Sequence, residues 1–240
     1  METIVVLDPV APERLDRMRP FLPPGFDLAS TASRSPADQM AGALSADYII
    51  TGDVAVTDAM MREGGKGRLK GVHKWGVGYD NIDLDAARQA GVRVMRTTGS
   101  NAAAVAETAL AMILALNRAL LPGHEGIAHG KWLKGELGPS IFLLSGKTVG
   151  LVGLGFIGKT LARLLSGFGC RILYTKPAAL PDHEAEPLGV THVDLQTLLT
   201  QSDVISLHCV LNAQTANLIG ADEFAAMKDG VLFINTARGG

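Results

Sequence analysis

The chain has 240 residues, of which 47% are apolar and 19% charged, and its formal net charge is −2. This length and apolar content allow one large or two small domains with buried cores, as in a globular protein. The small net charge and the lack of a stripe rich in Lys or Arg argue against nucleic acid or an anionic membrane as a partner. We therefore expect a small-molecule partner.

The amino terminus and the cysteines bear on the cellular compartment. Met1 leads directly into the strand-like sequence TIVVLDP, without a basic region or a cleavable apolar segment. Cys170 and Cys209 are isolated in apolar settings, which predicts buried thiols and neither a disulfide nor a metal pair. We expect a cytoplasmic protein without a metal site.

Short apolar runs alternate with helix-like stretches, a pattern that predicts parallel sheets covered by helices on both faces. In the first predicted domain, residues 1–99, four runs are predicted strands. These are Ile4–Leu7, Tyr48–Thr51, Gly71–Lys74 and Val92–Met95. Helices are predicted between them, near Pro12–Met18, Thr57–Arg62 and Leu84–Ala90.

The second predicted domain, residues 100–240, opens with a long helix. Residues Asn101–Leu121 are rich in Ala, Leu and Met, which favour a helix about 30 Å long that could bridge two lobes. Pro122 and Gly123 are predicted to end it. A membrane span is the alternative, but Glu107 and Arg118 interrupt a stretch that is only marginally long enough.

Five further apolar runs predict the sheet of this second domain. They are Thr148–Val152, Arg171–Tyr174, a short strand near Thr191–Val193, Val204–Leu207 and Val231–Asn235. A Rossmann sheet has six strands, and the sequence ends just after the fifth predicted one. We therefore expect a doubly wound α/β domain that lacks its last strand.

The passage GKTVGLVGLGFIG, which begins at residue 146, joins a predicted buried strand to a helix through Gly-x-Gly-x-x-Gly. Gly153 would form a tight turn, Gly155 would let the backbone reach a pyrophosphate, and Gly158 would allow close packing of helix on strand. The phosphates would contact free amides at the helix N-terminus. We predict that these glycines, with Phe156 and Ile157, bind a dinucleotide.

The residue after the second strand of this domain predicts which dinucleotide is bound. An acidic residue about 20 residues after the glycines usually binds the ribose hydroxyls of NAD. Here the strand ends ILYTKP, and Lys176 occupies that position. Because a cation suits the 2′-phosphate, we expect NADP to be favoured over NAD. The alternative is a solvated lysine beside a NAD site that lacks the acid.

Three further passages carry a family resemblance. They are KWGVGYDNIDLDAA at 74–87, NAAAVAE at 101–107, and SDVISLHCVLNAQTANLIGADEFAAMKDGVLFINTARGG at 202–240. With the glycine motif they make the chain resemble the D-isomer-specific 2-hydroxyacid dehydrogenases, which include glyoxylate, hydroxypyruvate and 3-phosphoglycerate dehydrogenases. The resemblance covers nearly the whole chain from about Leu69 onward. It implies a flavodoxin-like substrate domain, a Rossmann domain, a reaction in the cleft between them, and a homodimer.

The same resemblance implies site residues. Trp75 would belong to the substrate loop, in which the backbone amides of Val77 and Gly78 face the substrate carboxylate. The positions implied beside the cofactor are Val105 on the long helix, Cys209 and Val210 after the fourth strand, and Thr236, Ala237 and Arg238 after the fifth. Ligands gather at the carboxyl ends of strands in open sheets, so these positions also make physical sense.

Arg238, in the sequence TARG, is the predicted catalytic residue. By resemblance, its guanidinium would hold a 2-oxo acid by two parallel hydrogen bonds and fix the carbonyl near C4 of the nicotinamide. It would also stabilise the negative charge that develops on the oxygen. The alternative is a surface arginine that follows a strand.

Reduction of a 2-oxo acid also needs a proton donor, and a histidine beside a carboxylate is an efficient one. In the family these residues lie downstream of the TARG segment, so we expect a chain truncated at its C-terminal end. His208 is nearest the expected cleft, but the family has a histidine there without using it as the acid. We therefore predict a reductase of glyoxylate or hydroxypyruvate type; the alternative is a non-catalytic or dinucleotide-sensing binding protein on the same fold.

Overall fold

The computed structural model describes residues 1–239. The chain divides into two compact units, Met1–Ser100 and Asn101–Gly240. The boundary predicted from the sequence, between residues 99 and 100, lies one residue from this division. Each unit has its own parallel sheet and its own buried apolar core, as expected of a domain.

Within residues 1–100, five parallel strands form one sheet. They are β1 (Glu2–Val6), β2 (Phe26–Ser30), β3 (Tyr48–Thr51), β4 (Gly71–Lys74) and β5 (Arg93–Arg96). Their order is β2-β1-β3-β4-β5, which is the flavodoxin-like order. The four strands predicted from apolar runs are confirmed, and β2 is an additional strand. Its sequence FDLAS has one fully buried side chain, Leu28, which makes a weak apolar signal.

Helices connect the strands of this unit. They are α1 (Pro12–Met18), α2 (Pro36–Ser45), α3 (Asp58–Lys66) and α4 (Leu84–Gln89), with a short 3₁₀ helix at Arg19–Phe21. Ser35, Thr57 and Asp83 cap α2, α3 and α4 by accepting a hydrogen bond from a first-turn amide. The sequence predicts α1, α3 and α4 but not α2, whose buried residues are Gln39 and Ala43 rather than large apolar side chains.

Within residues 101–239, five parallel strands form the second sheet. They are β6 (Thr148–Val152), β7 (Arg171–Thr175), β8 (Val190–His192), β9 (Val204–Leu207) and β10 (Leu232–Asn235). Their order is β10-β9-β6-β7-β8. Numbered within the unit, this is 5-4-1-2-3, the order of the Rossmann fold. The five predicted strands and the α/β class with two parallel sheets are confirmed.

The helices of the second unit lie before and between these strands. They are α5 (Ala102–Asn117), α6 (Leu120–Ala128), α7 (Lys134–Leu137), α8 (Phe156–Leu165), α9 (Asp182–Ala185), α10 (Leu195–Gln201) and α11 (Ala221–Ala226), with 3₁₀ helices at Gly138–Ser140, Ser166–Phe168 and Glu186–Leu188.

The prediction of one helix over residues 101–121 that ends at Pro122 is wrong. Helix α5 ends at Asn117, and α6 begins at Leu120 after a sharp bend. The bend is made by Ala119, whose backbone is left-handed with φ +47°. Pro122 lies in the first turn of α6, where the missing N–H of proline leaves no helical hydrogen bond unmade.

One face of α5 is buried and the other is exposed. The buried residues, Ala102, Ala106, Ala109, Ile113 and Asn117, recur every three or four positions, and the helix packs against α8 and β10. In the part of the chain that the structure describes, no single helix is long and apolar enough to cross a membrane. Together, α5 and α6 meet that criterion as a pair bent by 62°.

Strand β6 is the centre of the second sheet. It pairs with β7 on one side and with β9 on the other, so the strand order reverses at β6. Its residues 149–152 are all buried. In open α/β sheets, ligands bind beyond the carboxyl ends of the strands at such a reversal. The fold therefore places a binding site just after Val152.

Candidate functional site

The turn after β6 brings three backbone segments close together. Gly153 has φ +96°, a conformation that favours glycine, and a Cβ on it would lie 2.8 Å from the backbone nitrogen of Cys209. A Cβ on Gly158 would lie 2.5 Å from the carbonyl oxygen of Gly153. These two glycines therefore let α8 and the end of β9 pack directly against the turn.

Gly155 has a different role, because it faces open space. It is the N-cap of the ten-residue helix α8, no side chain caps this end, and a Cβ placed on it would meet no atom within 4 Å. Phe156, the first helical residue, is 61% exposed. The first amides of a helix have no intrahelical acceptor, and the positive end of the helix dipole attracts anions. The residues at this turn fit a pyrophosphate.

A cavity of about 670 Å³ opens at this turn, at the carboxyl ends of the central strands. It brings together five of the predicted cofactor residues: Gly153, Gly155, Lys176, Cys209 and Val210. Its other lining residues include Thr175, His192, Asp194, Asn212 and Thr215. This volume lies within the range of pockets that bind small molecules and cofactors.

The segment after β7 is held at both ends. The hydroxyl of Tyr174 accepts a hydrogen bond from the backbone N–H of Leu180 at 2.8 Å. The Nε2 atom of His192 lies 3.1 Å from the carbonyl oxygen of Lys176. The rings of Tyr174 and His192 are also in contact, with their centroids 5.1 Å apart. Lys176 therefore stands on a fixed backbone at the edge of the cavity.

An ion pair lies close to this segment. Lys159 on α8 pairs with Glu184 on α9. The hydrogen bond from Lys159 is the main cause that lowers the pKa of the Glu184 carboxyl, and the charge of Lys176 contributes. Glu184 is therefore ionised near neutral pH and is already engaged by Lys159.

His208, at the end of β9, is hydrogen bonded on both sides of its ring. Nε2 lies 2.9 Å from the hydroxyl of Ser206, and Nδ1 lies 3.3 Å from the hydroxyl of Thr236. Burial lowers the pKa of His208 to about 4. The ring is therefore neutral near pH 7 and is a poor proton donor there. Burial likewise raises the pKa of Cys209, which keeps this thiol protonated.

The side chain of Asn235 braces the turn after β10. Its Nδ2 donates to the carbonyl oxygen of Arg238 at 2.8 Å, and its Oδ1 accepts from the N–H of Ala237 at 2.9 Å. The exposed Arg238 lines a smaller cavity of about 230 Å³, together with Cys209, Val210 and Ala237. The structure therefore brings these four predicted residues around one space.

In the first unit, the predicted substrate residues lie in the loop between β4 and α4. Trp75 is 44% exposed, and the guanidinium of Arg14 lies 5.1 Å from its ring. The buried Lys74 anchors the loop by donating from Nζ to Oδ1 of Asn81 at 2.8 Å. No residue among 1–239 accepts a hydrogen bond from the N–H of Val77 or of Gly78. Both N–H groups are therefore available to donate a hydrogen bond to a ligand.

The remaining predicted cofactor residues do not line either cavity. They are Val105, Phe156, Ile157, Gly158 and Thr236. Val105 is half-buried on the first turns of α5. Gly158 and Thr236 act as supports, through the contacts given above.

Sequence reasoning missed His192, Asp194 and Asn235. The only available signal was their position at or just after predicted strand ends, where ligand-binding residues gather. In residues 1–239, no group of three or more His, Cys, Asp or Glu side chains is arranged to hold a metal ion.

Comparison with protein families identifies the chain. Residues 110–240 match the model of the D-isomer specific 2-hydroxyacid dehydrogenase, NAD binding domain. The chain belongs to the D-isomer specific 2-hydroxyacid dehydrogenase family. The match covers the sheet and glycine turn that form the larger cavity, so the family resemblance predicted from the sequence is confirmed.

Relatives in this family differ in their substrates. A glyoxylate reductase from Thermococcus litoralis is 41% identical over 72% of this chain and 53% of its own length. A hydroxypyruvate reductase from Thermotoga maritima is 39% identical over 81% of this chain and 61% of its own length. The chain thus spans roughly half the length of these dehydrogenases.

Two solved structures have an architecture similar to that of this chain. An NAD-dependent formate dehydrogenase from Staphylococcus aureus in complex with NAD has a TM-score of 0.86 at 28% identity, covering 99% of this chain and 74% of its own. An acyclic imino acid reductase in complex with NADPH and D-Arg has a TM-score of 0.81 at 25% identity, covering 99% and 75%. Both nicotinamide cofactors thus occur on this fold.

Proposed function

We propose that the protein uses NADPH to reduce a short 2-oxo acid, of the glyoxylate or hydroxypyruvate type, to a D-2-hydroxy acid. One observation carries this proposal: a single cavity of about 670 Å³ holds the glycine turn, the uncapped end of α8 and Lys176. When bound, the nicotinamide supplies the hydride, and the carbonyl oxygen takes its proton from solvent water, because the neutral His208 is a poor proton donor. The protein contributes binding, orientation and charge stabilisation.

The charges of this cavity support a preference for the phosphorylated cofactor. Lys176 stands where a NAD site usually has an acid. Asp194 is an acid in the same cavity, but its carboxylate accepts hydrogen bonds from the N–H of Thr197 at 2.7 Å and from its hydroxyl at 3.0 Å. The first of these bonds is the main cause that lowers the pKa of Asp194. Asp194 is thus engaged in capping α10, which leaves Lys176 to select the 2′-phosphate.

Two sets of donors support the acid substrate. We assign Arg238 to hold the 2-oxo acid by two parallel hydrogen bonds and to stabilise the charge on the former carbonyl oxygen. In the first unit, the backbone amides of Val77 and Gly78 donate to no residue among 1–239, which suits them to bind a carboxylate. In the second unit, Arg238 lines the cavity beside Cys209 and Val210.

The first test is a binding titration with NADPH and with NADH, followed by nicotinamide fluorescence. We expect tighter binding of NADPH, and we expect Lys176→Gln to weaken NADPH binding about tenfold with little effect on NADH. Lys131→Gln, which removes an exposed lysine outside the cavity, serves as the matched control. Equal effects of the two substitutions, or tighter binding of NADH by the wild type, would contradict the cofactor assignment.

The second test is a substrate panel of glyoxylate, hydroxypyruvate, pyruvate and phosphohydroxypyruvate with each reduced cofactor. We expect oxidation of NADPH by a short 2-oxo acid, and we expect Arg238→Gln to abolish it while cofactor binding remains. Cofactor binding without turnover of any of these acids would favour the alternative, a dinucleotide-sensing protein on the same fold.

We also propose that the protein forms a homodimer through the second unit. Large apolar side chains are exposed along α5, α6 and the segment that follows: Leu116 is 49% exposed, Leu121 62%, Ile127 63% and Trp132 76%. Exposed apolar patches of this kind mark interaction surfaces. Sedimentation equilibrium is expected to give a dimer, and Leu116→Glu with Ile127→Glu a monomer. Phe21→Glu, at an exposed position of the first unit, is the control.

A further inference from the structure

His192 lies at the wall of the larger cavity and contacts the backbone of Lys176. It is the last residue of β8, pairs in register with Tyr174 of β7, and lines the larger cavity. Its side chain is exposed there rather than enclosed in the core. Its ring is nevertheless held in place, because it contacts the ring of Tyr174 and one of its nitrogens contacts the backbone of Lys176.

The contact with Lys176 determines which ring nitrogen carries the proton. A carbonyl oxygen only accepts hydrogen bonds, so Nε2 of His192 must be the donor to the carbonyl of Lys176. In the neutral ring, Nδ1 is then an acceptor, and in the charged ring it is a second donor. The same atom therefore suits a ribose hydroxyl in one state and a phosphate in the other.

We propose that His192 makes the choice between NADPH and NADH depend on pH. This inference rests on the proposed dinucleotide site. The charged ring, beside Lys176, gives the 2′-phosphate a second cationic partner. The neutral ring offers its Nδ1 lone pair to the 2′-hydroxyl of NADH. The contribution of His192 to NADPH binding is thus lost when the ring gives up its proton.

Three other ionisable groups that line the cavity keep one protonation state near neutral pH. Asp194 stays negative because its hydrogen bonds with Thr197 lower its pKa. His208 stays neutral, since its pKa is about 4, and Cys209 stays a thiol because burial raises its pKa. Among the residues that line this cavity, His192 is therefore the remaining imidazole whose protonation state can change the charge beside Lys176.

Two other possible sources of pH dependence must be separated from the effect of the His192 ring. His183 on α9 lies close enough to influence the charge of Glu184, which pairs with Lys159 near Lys176. The 2′-phosphate itself loses its second proton near pH 6, which strengthens its attraction to cations as the pH rises. Every variant keeps Lys176 and the same phosphate, so the comparison of wild type with His192→Gln isolates the part of the pH dependence that involves the ring, including the coupling between its proton and that of the phosphate.

The experiment is a fluorescence titration of the full chain with NADPH and with NADH, from pH 5.5 to 8.5. It compares the wild type, His192→Gln, and His183→Gln as the matched control. At pH 5.5 we expect the wild type to bind NADPH about tenfold more tightly than His192→Gln does. At pH 8.5 we expect the two proteins to bind NADPH equally tightly. His183→Gln is expected to follow the wild type.

The outcomes separate this inference from the proposed function. If the wild type binds neither dinucleotide at any pH, the proposed function fails. If wild type and His192→Gln bind NADPH with a ratio that does not change with pH, the proposed function stands and the role of His192 is overturned. Unfolding temperatures without cofactor check the fold, and His192→Asn serves as a second variant if the glutamine variant does not fold.

The tautomer gives an independent check that needs no cofactor. Nitrogen chemical shifts of the imidazole in the free protein at about pH 8 are expected to show the proton on Nε2. A neutral ring with its proton on Nδ1 would overturn the inference, because Nδ1 could then not accept from the ribose hydroxyl.

Discussion

Alanine substitutions at two glycines of the turn after β6 are expected to have different effects on stability and cofactor binding. A methyl group on Gly158 would lie 2.5 Å from the carbonyl oxygen of Gly153, so the backbone must move. We expect Gly158→Ala to lower the free energy of unfolding by about 1–3 kcal/mol in a denaturant titration.

Gly155→Ala provides the contrast, because its methyl group meets no atom within 4 Å. We expect an unfolding free energy within about 0.5 kcal/mol of the wild type, since the change is at an open surface position. We also expect NADPH binding about tenfold weaker, because the methyl group occupies the phosphate cradle. Unchanged binding would place the pyrophosphate elsewhere.

The buried ring of His208 predicts a dependence of stability on pH. Its pKa in the folded protein is about 4, below the ordinary value of 6.5. Between these values the unfolded chain binds more protons, so stability falls as the pH drops from about 6.5 to about 4. The full effect is up to about 3 kcal/mol.

His208→Gln removes this titration while leaving an amide that can hydrogen bond to Ser206 and Thr236. We expect the wild type to lose more unfolding free energy than the variant between pH 7 and pH 4, measured by urea titration at each pH. The carboxylates titrate in both proteins and cancel in the comparison. Parallel curves would show that the ring is not held neutral.

At the level of single residues, the sequence predicted where the backbone requires glycine, but it did not predict side-chain contacts. Gly153 and Gly158 could be assigned from the motif because glycine is required wherever two backbones approach this closely. The contact of His192 with Lys176 depends on the register of β8 against β7, which a three-residue strand does not encode. Asn235 was missed because its bonds to residues 237 and 238 form only within the completed turn.

At the scale of elements, the prediction of one helix over residues 101–121 was only partly correct. Composition favours a helix throughout, and α5 and α6 are both helical, but nothing in a run of Ala and Leu signals a left-handed residue at Ala119. Non-glycine residues adopt that conformation at a cost, and packing in the folded unit must supply the compensation. Tertiary context, rather than local propensity, sets this boundary.

The strain at Ala119 leads to a stability prediction. Glycine adopts φ +47° without the steric cost, so we expect Ala119→Gly to raise the free energy of unfolding by about 0.5–1 kcal/mol. Ala111→Gly, at an exposed position inside α5, is the control and should lower it by about 1 kcal/mol. Equal losses in a denaturant titration would mean that the helix runs straight through residue 119.

At the scale of the whole chain, the alternation of apolar runs and helical stretches predicted both sheets because parallel strands are buried on both faces. The uniformly buried β9 is the clearest example. Strand β2 was not predicted because it lies at the edge of its sheet and only one of its five side chains is fully buried. Edge strands can carry a weaker apolar signal, and β2 was the one strand of the ten that the sequence did not predict.

The division into two units predicts where bound NADPH should slow hydrogen exchange. A ligand at about 100 times its Kd stabilises the state that binds it by about 2.7 kcal/mol. We expect the largest gain in protection at the glycine turn, the first turn of α8 and the ends of β7 and β9, because these line the larger cavity or contact its turn. Mass spectrometry of peptides from β1 and β3 gives the reference within the same sample. Protection that rises at β1 and β3 but not around residues 153–158 would place the cofactor in the first unit and refute the assignment of the cavity.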